Sequence, residues 1–157
     1  MVLKEPELLI GVERVLDPSI LSDDTMQDVF ELRLVLEVGM GDLIFSRLKK
    51  EDIDELAEIA ERENNDPGCA DLETRLKYEI EFHSKLYQMS GNKTLTKFQT
   101  ILLPVFNYMM KQETKNDVKP RPGKITHDAL VETLRTGTPA KFRVNMREHL
   151  SPHYKSL

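Results

Sequence analysis

Tryptophan is absent from this 157-residue chain, aromatic residues make up only 6% of it, and a single cysteine stands at position 69. One thiol cannot form an internal disulfide, so the fold must rest on its core. Cys69 ends the turn-forming run Asn64-Asn65-Asp66-Pro67-Gly68 and reads as an incidental thiol. No apolar run approaches the roughly 18 residues that a membrane span needs. The first residues lack the basic start and apolar core of a secretory signal. A cytoplasmic protein with no membrane partner is expected. Positive charge is also short, since 22 Lys and Arg against 27 Asp and Glu leave a net charge of −5. That balance gives little electrostatic basis for binding nucleic acid unaided. The densest basic stretch, Lys119 to Lys124, holds two prolines and reads as a stiff loop. Period-two alternation of useful length and Asn-Gly or Asp-Gly hairpin signals are missing as well, which argues against strands.

What the chain does have is leucine, methionine, glutamate and lysine in quantity, a mixture that favours helix. Residues 1–22 read as a lead-in, with a short helix over 7–16. Asp24 is a candidate N-cap, with Gln27 at the third helical position. The helix it opens is expected from Met26 to about Leu48, apolar almost all round and therefore central. Arg33 and Glu37 interrupt that apolar surface one turn apart. Two readings stay open: an internal ion pair, or an Arg33 that faces a cavity and awaits an anion. Gly39 and Gly41 should bend the helix or admit a neighbour.

An amphipathic helix follows over Glu51 to Glu63, with Ile53, Leu56, Ala57 and Ala60 inward and a charged face read as solvated. Asp71 caps the next helix, which runs to about Met89. Ser90-Gly91-Asn92 stops it and restarts the chain. A helix over Thr94 to Gln112 contains Pro104, a kink signal. After a polar loop to Lys124, helices are expected from Ile125 to Gly137 and again from Thr138-Pro139 onward. The expected fold is all-α, an antiparallel bundle of about six helices with short connections.

Histidine is scarce, with four in the chain. Glu79 precedes His83 by four residues, so carboxylate and imidazole lie one turn apart on one helical face. That is a spacing at which one helix gives two ligands to one metal. His127 and His149 each lie on the apolar stripe of a later helix. Taken singly, each is more simply a hydrogen-bonded core histidine. Together with Glu79 they make a three-imidazole, one-carboxylate set suited to a divalent ion, with Zn or Ni foremost and Fe or Mn also compatible. His153, after Pro152, reads as a surface residue.

Four segments in order now carry a resemblance. They are Phe30-Glu31-Leu32-Arg33-Leu34-Val35-Leu36-Glu37; Glu79-Ile80-Glu81-Phe82-His83 followed by Leu86-Tyr87 and Ser90-Gly91-Asn92; His127-Asp128-Ala129-Leu130 running to Gly137; and Met146-Arg147-Glu148-His149-Leu150. In this order they resemble the ligand-binding FCD domain of GntR-type bacterial transcription regulators of the FadR subgroup, over roughly residues 20–155. The resemblance implies that Glu79, His83, His127 and His149 are metal ligands and that Arg33 anchors the carboxylate of a small organic acid, the effector. It also implies a homodimer. Two departures stand out: Glu79 replaces the family's usual Asp, and Thr138 replaces the Asp after Gly137. The family's winged helix-turn-helix has no counterpart in residues 1–22, so DNA reading is expected from a module outside this chain, and residues 23–157 form the metal-dependent effector-binding domain. The reading is of a sensor and not an enzyme. The alternatives are a metal-dependent, hydrolase-like enzyme on a helical bundle, and a helical dimerisation module with no metal.

Overall fold

The computed structural model describes residues 9, 11, 12, 16–115 and 125–153. Most of the short helix expected over 7–16 and most of the polar loop up to Lys124 lie outside the described residues. The rest is all-α. Seven helices follow one another: α1 (Asp23–Gly39), α2 (Gly41–Arg47), α3 (Lys50–Asn65), α4 (Leu72–Met89), α5 (Lys93–Lys115), α6 (His127–Thr136) and α7 (Pro139–Leu150). Short 3₁₀ turns at Pro67–Ala70 and Ser151–His153 complete the chain.

The count differs from about six because the expected helix over 26–48 is two helices that meet at Met40. Gly41 explains why a glycine stands at the junction. A Cβ there would lie 3.0 Å from Phe142 Cδ1, so the missing side chain lets α7 come close. The start of α1 also differs. Ser22, not Asp24, is the N-cap, and its hydroxyl accepts the Thr25 N–H at 3.2 Å. Asp23 and Asp24 instead occupy the first turn, where the positive end of the helix favours carboxylates. Nor is α1 buried all round, since Leu32 is 38% and Val35 67% exposed.

The remaining boundaries follow local chemistry. Asp71, Thr126 and Thr138 each accept a backbone N–H three residues ahead. Gly91 adopts φ +63° and ends α4, after which Asn92 Oδ1 accepts the Leu95 N–H at 3.1 Å. α5 is continuous through Pro104, which lies on its exposed side where solvent can reach the carbonyl left without a donor. His153 is half-buried and sets its ring edge-on to Phe30 at 6.5 Å, so it is not a free surface residue.

The six longer helices close into a ring. Following the main contacts, the order is α1, α5, α4, α3, α6, α7 and back to α1, with α2 against α7. Phe30, Phe82, Leu86, Leu102, Leu130 and Phe142, from five of these helices, are buried in the core. A side chain that points inward from any helix of such a ring therefore reaches a shared centre. Among the described residues, no helix is long and apolar enough to cross a membrane.

Gly91→Ala should lower stability by about 1–2 kcal/mol, because an L side chain is strained in the left-handed region. A urea midpoint equal to that of the parent would contradict this account of the α4–α5 junction.

Candidate metal centre

The ring interior holds the chain's concentrated polar chemistry. Glu79 and His83 extend from α4, His127 opens α6, and His149 lies in the last turn of α7. Each of the four offers one ligand atom, and these atoms all lie within 4.8 Å of one another. The four residues singled out from the sequence are therefore brought together. His83 Nε2 is 3.2 Å from His149 Nε2 and 3.4 Å from Glu79 Oε2, while His127 Nε2 is 3.6 Å from Glu79 Oε1. The longer side chain of Glu79 thus turns one oxygen toward each of two imidazoles.

What aims the three rings is a layer of acceptors behind them. His149 Nδ1 is 2.9 Å from the Ile125 carbonyl. A carbonyl only accepts, so Nδ1 carries the proton and Nε2 is left with its lone pair. His127 Nδ1 is 2.5 Å from Glu63 Oε2, and the same logic leaves its Nε2 as a donor atom toward the centre. His83 Nδ1 lies 2.6 Å from Glu37 Oε2, a close charge contact without the linear geometry of a good hydrogen bond. Acceptors on the distal ring nitrogens are the usual support of metal-binding histidines.

The donor set fits a divalent cation on two observations. His127 Nε2 is buried and has no hydrogen-bond partner, yet it faces a carboxylate oxygen. Electron-rich atoms that face each other without a shared proton are relieved by a cation. The second observation is the His83–His149 pair, whose two Nε2 atoms at 3.2 Å need a shared proton, or a cation in its place, between them. Burial alone would lower the His83 pKa, but the Glu37 carboxylate outweighs it and holds the value above the ordinary one. A proton on His83 Nε2 can therefore bridge to His149. Burial and the neighbouring His83 charge push His149 down to about 3, so it is neutral and able to ligate at neutral pH.

Of the two readings that its sequence context left open, Arg33 forms the internal ion pair with Glu37. Its Nε donates to Glu37 Oε1 at 2.9 Å and its Nη2 to Glu79 Oε2 at 3.2 Å. It also lines a small cavity of about 20 Å³ with Glu37, Glu79 and His83. Burial would raise the Glu37 pKa, but Arg33 and then His83 bring it down to about 2. Burial likewise opposes ionisation of Glu79, yet His83, His127 and Arg33 hold it well below the ordinary carboxylate value. Both acids are anionic at neutral pH despite their burial.

Two supporting groups escaped the sequence reading. Glu63 lies on the charged face of α3 and looked solvated, and nothing local marks its reach to His127. The Ile125 carbonyl is a backbone atom with no signature at all. A third, Glu37, was visible as Arg33's partner but not as the group behind His83.

The FCD domain family matches residues 28–152 of the chain. A solved structure described as Streptococcus agalactiae GntR has a similar fold, with a TM-score of 0.67 at 21% identity over 88% of this chain and 63% of that one. The chain thus spans less than two thirds of that protein's length. No curated protein matches the chain.

Removing a ligand and removing its support should differ in degree. His83→Ala is expected to abolish stoichiometric Zn or Ni uptake in elemental analysis, while Glu63→Gln should weaken affinity by about 10- to 100-fold and keep the stoichiometry. Parent-like affinity in Glu63→Gln would show that the His127 contact does not support the site.

Acid should also unfold the metal-free protein in a defined order. His149 titrates near 6.5 when unfolded and at about 3 when folded, so between these values the unfolded chain binds more protons and stability falls as pH falls. Glu37, lowered from 4.5 to about 2, adds a second loss below pH 4.5. The raised His83 contributes in full below pH 6.5 and loses its contribution only as pH rises through its folded value. Urea midpoints of chelator-treated protein should therefore decline below pH 6.5 and steepen below 4.5; a midpoint that rises on acidification below pH 6.5 would refute this.

Proposed function

The chain belongs to the FCD domain family, and from this premise we propose that it is the effector-sensing domain of a GntR-type transcription regulator, binding a divalent metal and a small organic acid at the centre of the helical ring. The observation that carries the reading is the convergence of Glu79, His83, His127 and His149 within 4.8 Å, with an acceptor behind every imidazole. A divalent ion held by these four would supply a Lewis-acidic attachment point for a carboxylate. Zn and Ni suit the imidazole-rich set best, and Fe or Mn would also fit.

The chain's own residues do the rest. Arg33 presents a guanidinium to the cavity beside Glu79 and His83, and its fork suits a carboxylate in a dry site. An arriving acid competes with Glu79 for Arg33 Nη2. That exchange loosens one link between α1 and α4 while it adds contacts of its own. Differential contact of this kind is what allows a ligand to shift a helical arrangement. Exposed Leu32 and Val35 on α1 support pairing of two copies, and α1 would then carry the shift to the dimer interface. DNA contact belongs to a module outside residues 23–157, and the work is cytoplasmic.

The sensor reading is preferred to a hydrolase because the nearby carboxylates are committed elsewhere. Glu37, at a pKa of about 2 and engaged by Arg33 and His83, is a poor proton acceptor at neutral pH. Glu63 faces His127 Nδ1 and not the centre.

Arg33→Lys keeps the charge against Glu37 but loses the fork. It should reduce acid affinity about tenfold while metal content is unchanged, as expected where bidentate geometry matters. Calorimetric titration of the Zn-loaded variant and parent with acetate and lactate tests this. Equal affinities would remove Arg33 from the acid site.

A further inference from the structure

We propose that the groove between α4 and α5 is an outer binding site for the acid, where Lys77 and Lys111 hold its carboxylate before it passes to Arg33. This rests on the reading of the chain as an acid sensor and adds the route by which the acid enters. The cavity at Arg33 has a volume of about 20 Å³, room for about one water molecule. An acid therefore enters only if side chains around that cavity move aside. Three of them, Leu76 and Ile80 on α4 and Asn107 on α5, also line an open groove of about 300 Å³. The cavity and the groove thus share a wall of three side chains. On the solvent side of that wall lie the exposed Glu73, Lys77 and Lys111.

The groove has the chemistry to collect a small carboxylate. Glu73, Leu76, Lys77 and Ile80 follow one another at spacings of three, one and three, which puts them on one side of α4. Asn107 and Lys111, four apart, face them from α5. Two ammonium groups against one carboxylate make this lining positive on a chain whose net charge is −5, and such a patch draws anions from solution. Neither cation is firmly held. Lys77 has no ion pair among the described residues. Lys111 Nζ lies 3.9 Å from Glu73 Oε1, with both side chains more than half exposed. A pair so long and so wet is worth little, so an incoming carboxylate displaces Glu73 at small cost. A second open groove, beside Tyr78, sets Glu58, Glu61 and Asp66 against Arg62 alone and repels the same ligand. Asn107 belongs to both the α4–α5 groove and the inner cavity, and its amide can donate to a carboxylate on either side of the wall.

The test is NMR of the isotope-labelled full chain, with chloride exchanged for acetate at constant ionic strength. In chelator-treated protein the centre offers the acid no metal, yet the backbone amides of residues 76–80 and 107–111 should shift and saturate. Lys77→Gln combined with Lys111→Gln, both at exposed positions, should weaken this binding about fivefold. In the Zn-loaded chain, line shapes of the His83 and His127 amides report the acid at the centre. There the double variant should keep the parent Kd while association and dissociation both slow about fivefold, because the groove lies on the route and not at its end. No shift in the groove on exchanging chloride for acetate would overturn the outer site, and acetate still bound at the Zn-loaded centre would then leave acid sensing intact. Rates at the centre that are unchanged in the double variant would overturn the groove as the route. Acetate bound neither in the groove nor at the Zn-loaded centre would sink the outer site and the sensor reading together.

Discussion

The charged network inside this helical ring depends on one buried anion, the Glu37 carboxylate. It is 1% exposed and lies between Arg33, at 2.9 Å, and His83, at 2.6 Å. A buried carboxylate alone would be costly enough to take up a proton. Arg33 and His83 reverse that, and in turn depend on it: without Glu37, two cations would share the interior with Glu79 alone. The network spans α1 and α4, which are not adjacent in the ring, and so fixes the two helices across its centre. Its contribution is better described as specificity of arrangement than as stability, because buried ion pairs seldom outweigh their own desolvation.

The same network explains why the imidazoles are chemically different although none is exposed. His83 has the Glu37 carboxylate behind it and is biased toward the charged form, whereas His149 has only a backbone carbonyl and is biased toward neutrality. A proton shared between their Nε2 atoms gives the metal-free centre a stable state. On the proposed reading, a metal would take the place of that proton, and the helices would not have to be drawn together against bare repulsion. The pre-formed centre and the pre-formed cavity thus share one cause, which is the fixed positions of Arg33, Glu37 and Glu79.

The sequence was most informative where chemistry is local. Asp71, Gly91, Asn92, Thr138 and Pro139 marked their helix boundaries because caps and left-handed turns need particular residue types. The histidines were legible because each interrupts an apolar stripe. The errors lay where a local rule competed with tertiary contact. Ser22 and Asp24 are both sound N-caps, and only the fold decides between them. The α1–α2 break reflects the approach of Phe142, about a hundred residues later in the chain. Leu32 and Val35 complete an apolar pattern that suggested full burial, yet a ring helix has an outer face whatever its sequence. Glu63 is the sharpest case, since a glutamate on a charged surface carries no mark of a partner 64 residues away.

The ring closure described above has a kinetic side. The donors of the centre are separated widely along the chain, His83 and His149 by 66 residues, and His83 and His127 are almost wholly covered. Withdrawing several of them at once takes movement of several helices, so exchange of a cation held by all four would be tied to opening of the ring. Such a domain would carry a memory: its loading would reflect the conditions under which the chain folded more than those of the moment.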